Sequence, residues 1–241
     1  NFSRLIHKIL YCKRAYIIIL ESRDLMSELP QLNGPRLEPE GNIPDKLVIL
    51  CHGFGSNGDD LMGLVPHLQS VLPKAAFVSP NAPEPCFGAP NGFQWFALST
   101  LSQEERLVGT LKAAPTLDHF IDKELERYGL TNKDLILVGF SQGTMMSLHA
   151  GLRRSSDIAG IVGFSGAMTL PDNWQDDISS RPPVVLIHGD MDNIVPVQMM
   201  AEAYDALKSI DINVDQHVSP GITHSIGPDG LQKALEFLSK I

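Results

Sequence analysis

The sequence predicts an α/β fold, a mostly parallel central sheet with helices on both faces, and three observations carry that expectation. Short runs of branched apolar residues alternate with segments of helical periodicity, the signature of repeated strand-helix-strand units. Most of the runs are apolar throughout, as strands buried on both faces require. One of them, residues 135–138, ends in Gly139-Phe140-Ser141-Gln142-Gly143 and passes directly into a helical pattern at 144–152. A chain of 241 residues, 43% hydrophobic and 20% charged, suits a single soluble domain with ample core.

Residues 1–25 read as an extension. Arg4, Lys8, Lys13, Arg14 and Arg23 outweigh Glu21 and Asp24, and the apolar run 15–20 is too short for a signal-peptide core or a membrane span. An amphipathic surface helix and a poorly ordered tail both remain open. The chain does not begin with Met, and Met26 opens a polar lead-in, so the folding unit is expected over residues 26–241. Residues 27–45, rich in Pro, Gly and Glu, form a surface lead-in with one short edge strand at Arg36 and Leu37.

Residues 47–51 are the first buried strand; 56–72 give a loop and an amphipathic helix, and 75–78 the next strand. A helix follows over 104–128, with Pro115 expected to kink or break it. After the strand 135–138 and its helix come a strand at 158–164, a strand at 184–187, a helix at 197–208, a strand at 212–218 and a last helix at 229–238.

The Gly139 to Gly143 stretch holds the chemistry. A strand that turns at once into a helix puts Ser141 in a strained conformation, and only residues without a β-carbon at 139 and 143 leave room for it. The turn presents the Ser141 hydroxyl at a helix N-terminus, beside the N–H of Gln142. A serine hydroxyl needs a base, and the base a carboxylate to hold its tautomer. Of the eight histidines, His224 has the right context, in a loop after the last strand and before the last helix. His7 lies in the extension, while His67, His119 and His149 fall in helical patterns, His188 ends a strand and His217 lies inside one. The acid is expected between serine and histidine after a late strand, where Asp190 and Asp192 compete. Asp192 is favoured as the acid and Asp190 as a brace of the turn; an Asx-turn or helix cap is the structural alternative for either. The glycines of His52-Gly53-Phe54-Gly55-Ser56-Asn57-Gly58 let backbone approach a reacting carbonyl, which makes the N–H of Phe54 the expected second oxyanion donor beside that of Gln142.

Taken together, Leu50-Cys51-His52-Gly53-Phe54-Gly55, Asp59-Asp60-Leu61, Ser79-Pro80-Asn81-Ala82-Pro83, Trp95-Phe96, Gly139-Phe140-Ser141-Gln142-Gly143, His188-Gly189-Asp190-Met191-Asp192 with Val195-Pro196, and Gly221-Ile222-Thr223-His224 resemble the phospholipase/carboxylesterase family. The resemblance covers about residues 45–240. It implies an α/β-hydrolase fold, with Ser141 as nucleophile, Asp192 as acid, His224 as base, and Phe54 and Gln142 as the oxyanion hole. Residues 94–116 look more like the bacterial carboxylesterases than the eukaryotic acyl-protein thioesterases. Family members often pair, so a homodimer is an open expectation with no interface legible in the chain.

Residues 80–92, with Pro80, Pro83, Pro85, Pro90, Gly88 and Gly92, form a long irregular loop of the kind that is often functional. Phe87, Trp95 and Phe96 are the candidate substrate-binding residues; the alternative is that Trp95 and Phe96 pack the loop onto the domain. With no basic cluster among these motifs, the expected substrate is a neutral acyl ester of short to medium length. The net charge of −9 argues against a nucleic-acid partner. Cys12, Cys51 and Cys86 fall in no metal-ligand spacing and their odd number speaks against a disulfide framework, so the expected setting is a reducing cytoplasm, with no metal and no cofactor. The expected activity is that of a serine carboxylesterase. Its rivals are an acyl-protein thioesterase, a lysophospholipase, and a hydrolase-fold binding protein without catalysis.

Overall fold

The structure, a computed structural model, describes residues 29–39, 43–170 and 174–241. Leu32–Ile241 forms one compact unit, to which everything below refers. The extension expected over residues 1–25 lies outside the described residues.

The apolar runs become the middle of a sheet. Strands β1 (Arg36–Leu37), β2 (Lys46–Cys51), β3 (Ala75–Val78), β6 (Leu135–Phe140), β7 (Gly160–Phe164), β8 (Val184–Gly189) and β9 (Val214–Ser219) form a seven-stranded sheet in the order β1-β3-β2-β6-β7-β8-β9. Every pairing is parallel except β1 with β3. The period of two along β2 sorts its side chains between two cores. Leu47, Ile49 and Cys51 face one cluster, whereas Val48 and Leu50 face the other.

Helices α3 (Gln103–Tyr128), α4 (Gln142–Arg153) and α5 (Gln198–Ser209) pack on the first face. Two short helices, α1 (Gly58–Met62) and α2 (Val65–Leu68), and α6 (Pro228–Leu238) cover the second. This is the α/β-hydrolase arrangement, with helices on both faces. Because the sheet is parallel, the loops that follow β2, β6, β8 and β9 all emerge at one edge, which is where such sheets place their sites.

Three local expectations differ from what is found. The helix at 103–128 runs unbroken through Pro115. Pro115 removes the partner of the Leu111 carbonyl, but both residues are exposed, so water can take that bond. Meanwhile Ala113, Ala114, Thr116 and Leu117 are buried, and their packing outweighs a local cost of about 3 kcal/mol. The single amphipathic helix expected within 56–72 is two helices, since Gly63 caps the first and Pro66, with no N–H to give, starts the second. Residues 80–92 are also more ordered than an irregular loop, because β4 (Glu84–Pro85) pairs with β5 (Phe93–Gln94) in a small hairpin.

Candidate active site

The turn from β6 into α4 is tight enough to exclude side chains at its flanks. A β-carbon on Gly143 would sit 1.8 Å from the Cys51 carbonyl oxygen, and one on Gly139 2.5 Å from the Gly143 oxygen. Between them Ser141 takes φ 54° and ψ −117°, a strained backbone for a residue with a side chain. The strain is held in place by a bond from the Ser141 N–H to the Phe164 oxygen, 2.8 Å. Ser141 caps the N-terminus of α4, where the N–H of Gln142 has no intrahelical acceptor.

The loops after β8 and β9 bring the other two groups to it. His224 Nε2 lies 2.9 Å from Ser141 Oγ, and His224 Nδ1 lies 2.7 Å from Asp192 Oδ2. A carboxylate accepts, so Nδ1 carries the hydrogen and Nε2 is left free to accept from the serine hydroxyl. The other oxygen, Asp192 Oδ1, accepts the N–H groups of Ile194 and Val195, each at 2.9 Å. Burial opposes ionisation of Asp192, yet the bonds from His224, Val195 and Ile194 outweigh it and hold the carboxyl below its ordinary pKa. The Phe140 ring packs on the His224 ring, with centroids 5.0 Å apart. Such an arrangement is able to take the proton of an attacking alcohol onto the imidazole.

The loops that carry Asp192 and His224 are bonded to each other. Asp190 Oδ1 accepts the Gly221 N–H at 2.6 Å, and the Met191 N–H donates to the Ile222 oxygen at 3.0 Å. Asp190 thus braces the turn and takes no part in the Ser141 to Asp192 chain.

The loop after β2 lies against the elbow. A β-carbon on Gly53 would fall 3.2 Å from that of Ser141, so the backbone of this loop passes close to the nucleophile turn. His52 pins this loop: the Ala82 N–H donates to its Nε2 at 3.0 Å, and its Nδ1–H donates to the Gly53 oxygen at 2.8 Å. Burial, the largest influence, keeps the His52 ring neutral by lowering its pKa.

Of the three aromatic residues expected to bind substrate, only Phe87 presents its ring to solvent, fully exposed. Trp95 and Phe96 are each 1% exposed, which corrects the expectation for both. Trp95 Nε1 donates to the His52 oxygen at 3.0 Å, and the Phe96 ring fills the space beside Gly109 on α3. Their rings pack the segment onto the domain. Phe54, by contrast, has a half-exposed ring.

Three participants were missed in the sequence. The Gln142 side chain accepts the Trp95 N–H and donates to the Phe96 oxygen, both at 2.9 Å, and so clamps the segment beneath the hairpin. Phe140 packs against the His224 ring. His188 touches Asp192; its position at the strand end that faces the site is the signal the sequence offers for it. Among the described residues no helix is long and apolar enough to cross a membrane.

Comparison with known proteins agrees with this fold. The structure of esterase PE8 superposes with a TM-score of 0.84 at 41% identity, covering 88% of this chain and 99% of that one. Acyl-protein thioesterase 1 of Gibberella zeae is 28% identical over 223 residues, 86% of this chain and 94% of the relative. The protein of the same name from Saccharomyces cerevisiae is 29% identical over 224 residues, 87% and 98% respectively. Residues 32–241 match the Phospholipase/Carboxylesterase family model, and the chain therefore belongs to this family of α/β-hydrolases acting on ester bonds.

Proposed function

We propose that the protein is a serine carboxylesterase for short- to medium-chain acyl esters, with Ser141 as nucleophile, His224 as base and Asp192 as the acid that orients it. The observation that carries this reading is the hydrogen-bonded series Asp192 Oδ2, His224, Ser141 Oγ at 2.7 and 2.9 Å, across three separate loops. Ser141 Oγ attacks the ester carbonyl carbon while its proton passes to His224 Nε2. The carbonyl oxygen becomes an oxyanion and takes hydrogen bonds from the N–H groups of Phe54 and Gln142. Collapse breaks the bond to the leaving alcohol, which receives the proton from His224 and leaves an acyl-serine. Water, deprotonated by His224, then attacks the acyl carbon; the acyl–Oγ bond breaks, the carboxylic acid leaves, and His224 Nε2 gives the proton to Ser141 Oγ.

The 41% identity to esterase PE8 supports an oxygen ester as substrate. The fungal relatives named acyl-protein thioesterase 1 favour a second reading, hydrolysis of acyl thioesters. Comparing kcat/KM for p-nitrophenyl esters of graded acyl length, an acyl thioester and a lysophospholipid separates the two. The carboxylesterase reading expects the short and medium oxygen esters to be turned over best. A preference for the thioester or the lysolipid would overturn it.

A further inference from the structure

His188 closes β8 with its ring 1% exposed. Its Nε2 lies 2.7 Å from the Val195 carbonyl oxygen and 3.2 Å from Asp192 Oδ2. Both neighbours can only accept, so Nε2 carries the hydrogen and shares it between them. Nδ1 is then the bare nitrogen, and it has no partner among the described residues. Burial, the largest influence, lowers the pKa of the ring, so it stays neutral in this tautomer.

The oxygen His188 faces, Asp192 Oδ2, is the one that accepts the His224 Nδ1–H. Oδ1 is taken by the Ile194 and Val195 N–H groups. These two backbone donors hold one oxygen but leave the carboxylate plane free to tilt about it. His188 supplies the constraint on the other oxygen. It also grips the Val195 carbonyl, which ties the end of β8 to the far end of the acid loop.

We propose that His188 is a positioning residue: its Nε2–H, shared between Asp192 Oδ2 and the Val195 oxygen, sets the orientation in which Oδ2 meets His224. This rests on the proposed roles of Ser141, Asp192 and His224. A side chain of similar bulk without a donor would fill the space, yet leave the Val195 oxygen and one lone pair of Oδ2 without a hydrogen. The acid would then be free to drift from the imidazole.

The test compares the His188→Leu, His188→Gln and His188→Asn variants in steady-state ester hydrolysis, with Ser141→Ala as control. The amide nitrogen of Gln reaches about where Nε2 lies, and that of Asn does not. His188→Leu and His188→Asn are expected to lose about 10- to 100-fold in kcat with KM changed by less than about two-fold, while His188→Gln stays within about three-fold of the parent, because a displacement near 1 Å at a catalytic group costs on that order. Should the Leu variant fail to fold, the contrast between Gln and Asn carries the test alone. Equal kcat for Gln and Asn, or a Leu variant with the parent's kcat, would overturn the proposal. An active Ser141→Ala would instead overturn the underlying reading, so the two failures are distinguishable.

Discussion

The two sides of the site are held by different means. On the Ser141 side, the loops of Asp192 and His224 are joined by backbone and carboxylate bonds, and Asp192 is gripped from several directions at once. On the other side, the β4–β5 hairpin is held from beneath by buried Trp95 and Phe96 and by the Gln142 amide, while Phe87 stands in solvent. The hairpin also bonds to the loop beside Phe54, through the Gly55 N–H to the Phe93 oxygen and the Phe93 N–H to the Ser56 oxygen. The groups proposed to make and break bonds are held by hydrogen bonds to one another and to the loops that carry them. The surface proposed to meet substrate has its backbone bonded locally, as from the Cys86 N–H to the Gly92 oxygen, but carries the exposed Phe87 ring at its tip, which can vary without disturbing the chemistry.

The sharpest way to break this contrast is to remove the groups on the rigid side. Ser141→Ala or Asp192→Asn is expected to lower kcat by roughly 10⁴-fold or more, since the acid variant can no longer hold the productive imidazole tautomer. The measurement is ester turnover by protein whose melting temperature is close to that of the parent. A loss below ten-fold would mean that the hydrogen-bonded series is not the reacting one.

Removing the root of the other side should instead cost stability. Trp95→Ala is expected to destabilise the protein by about 3–5 kcal/mol in urea unfolding, the usual range for deleting a large buried aromatic ring. Gln142→Ala keeps its backbone N–H but orphans the Trp95 N–H and the Phe96 oxygen, at about 1–3 kcal/mol for each buried group left unpaired. Its kcat should fall far less than that of Ser141→Ala.

Acid should act on both sides together. Burial lowers the pKa of His52, His188 and His149, the last to about 4, so the unfolded chain binds more protons than the folded one as pH falls below the ordinary histidine value of about 6.5. Stability held near neutral pH is therefore expected to decline between about pH 6.5 and 4. Asp192, whose pKa is depressed, adds its own loss only below the ordinary carboxylate value of about 3.9. Melting temperatures across this range check the sign, and a rise on acidification would contradict it.

The smallest effect belongs to the exposed tip. Phe87→Ala should change stability by no more than about 0.5 kcal/mol, as for other surface positions. If the tip meets substrate, KM for longer acyl esters should nevertheless rise; an unchanged acyl-length profile would remove Phe87 from the site.

How much of this could be read beforehand follows the same division. The elbow is a local pattern, because Gly139 and Gly143 answer to steric contacts within a few residues of Ser141 and at the neighbouring β2 end. The loops of Asp192 and His224 could be placed because a parallel sheet puts successive loops at one edge. The direction of an aromatic ring carries no such local signature. Trp95 and Phe96 turn inward because His52, Gln142 and Gly109, all distant in sequence, offer them partners and space. His188 is hidden for the same reason, since its partner Val195 is met only after the loop of Asp192 has folded back. The helix runs through Pro115 without a break because the buried residues around it outweigh a local rule.

The most direct test of the central claim is to trap the protein with a fluorophosphonate and map the adduct by peptide mass spectrometry. The account predicts one adduct per chain, on Ser141, abolished in Ser141→Ala. An adduct on another residue, or undiminished labelling of the alanine variant, would contradict it.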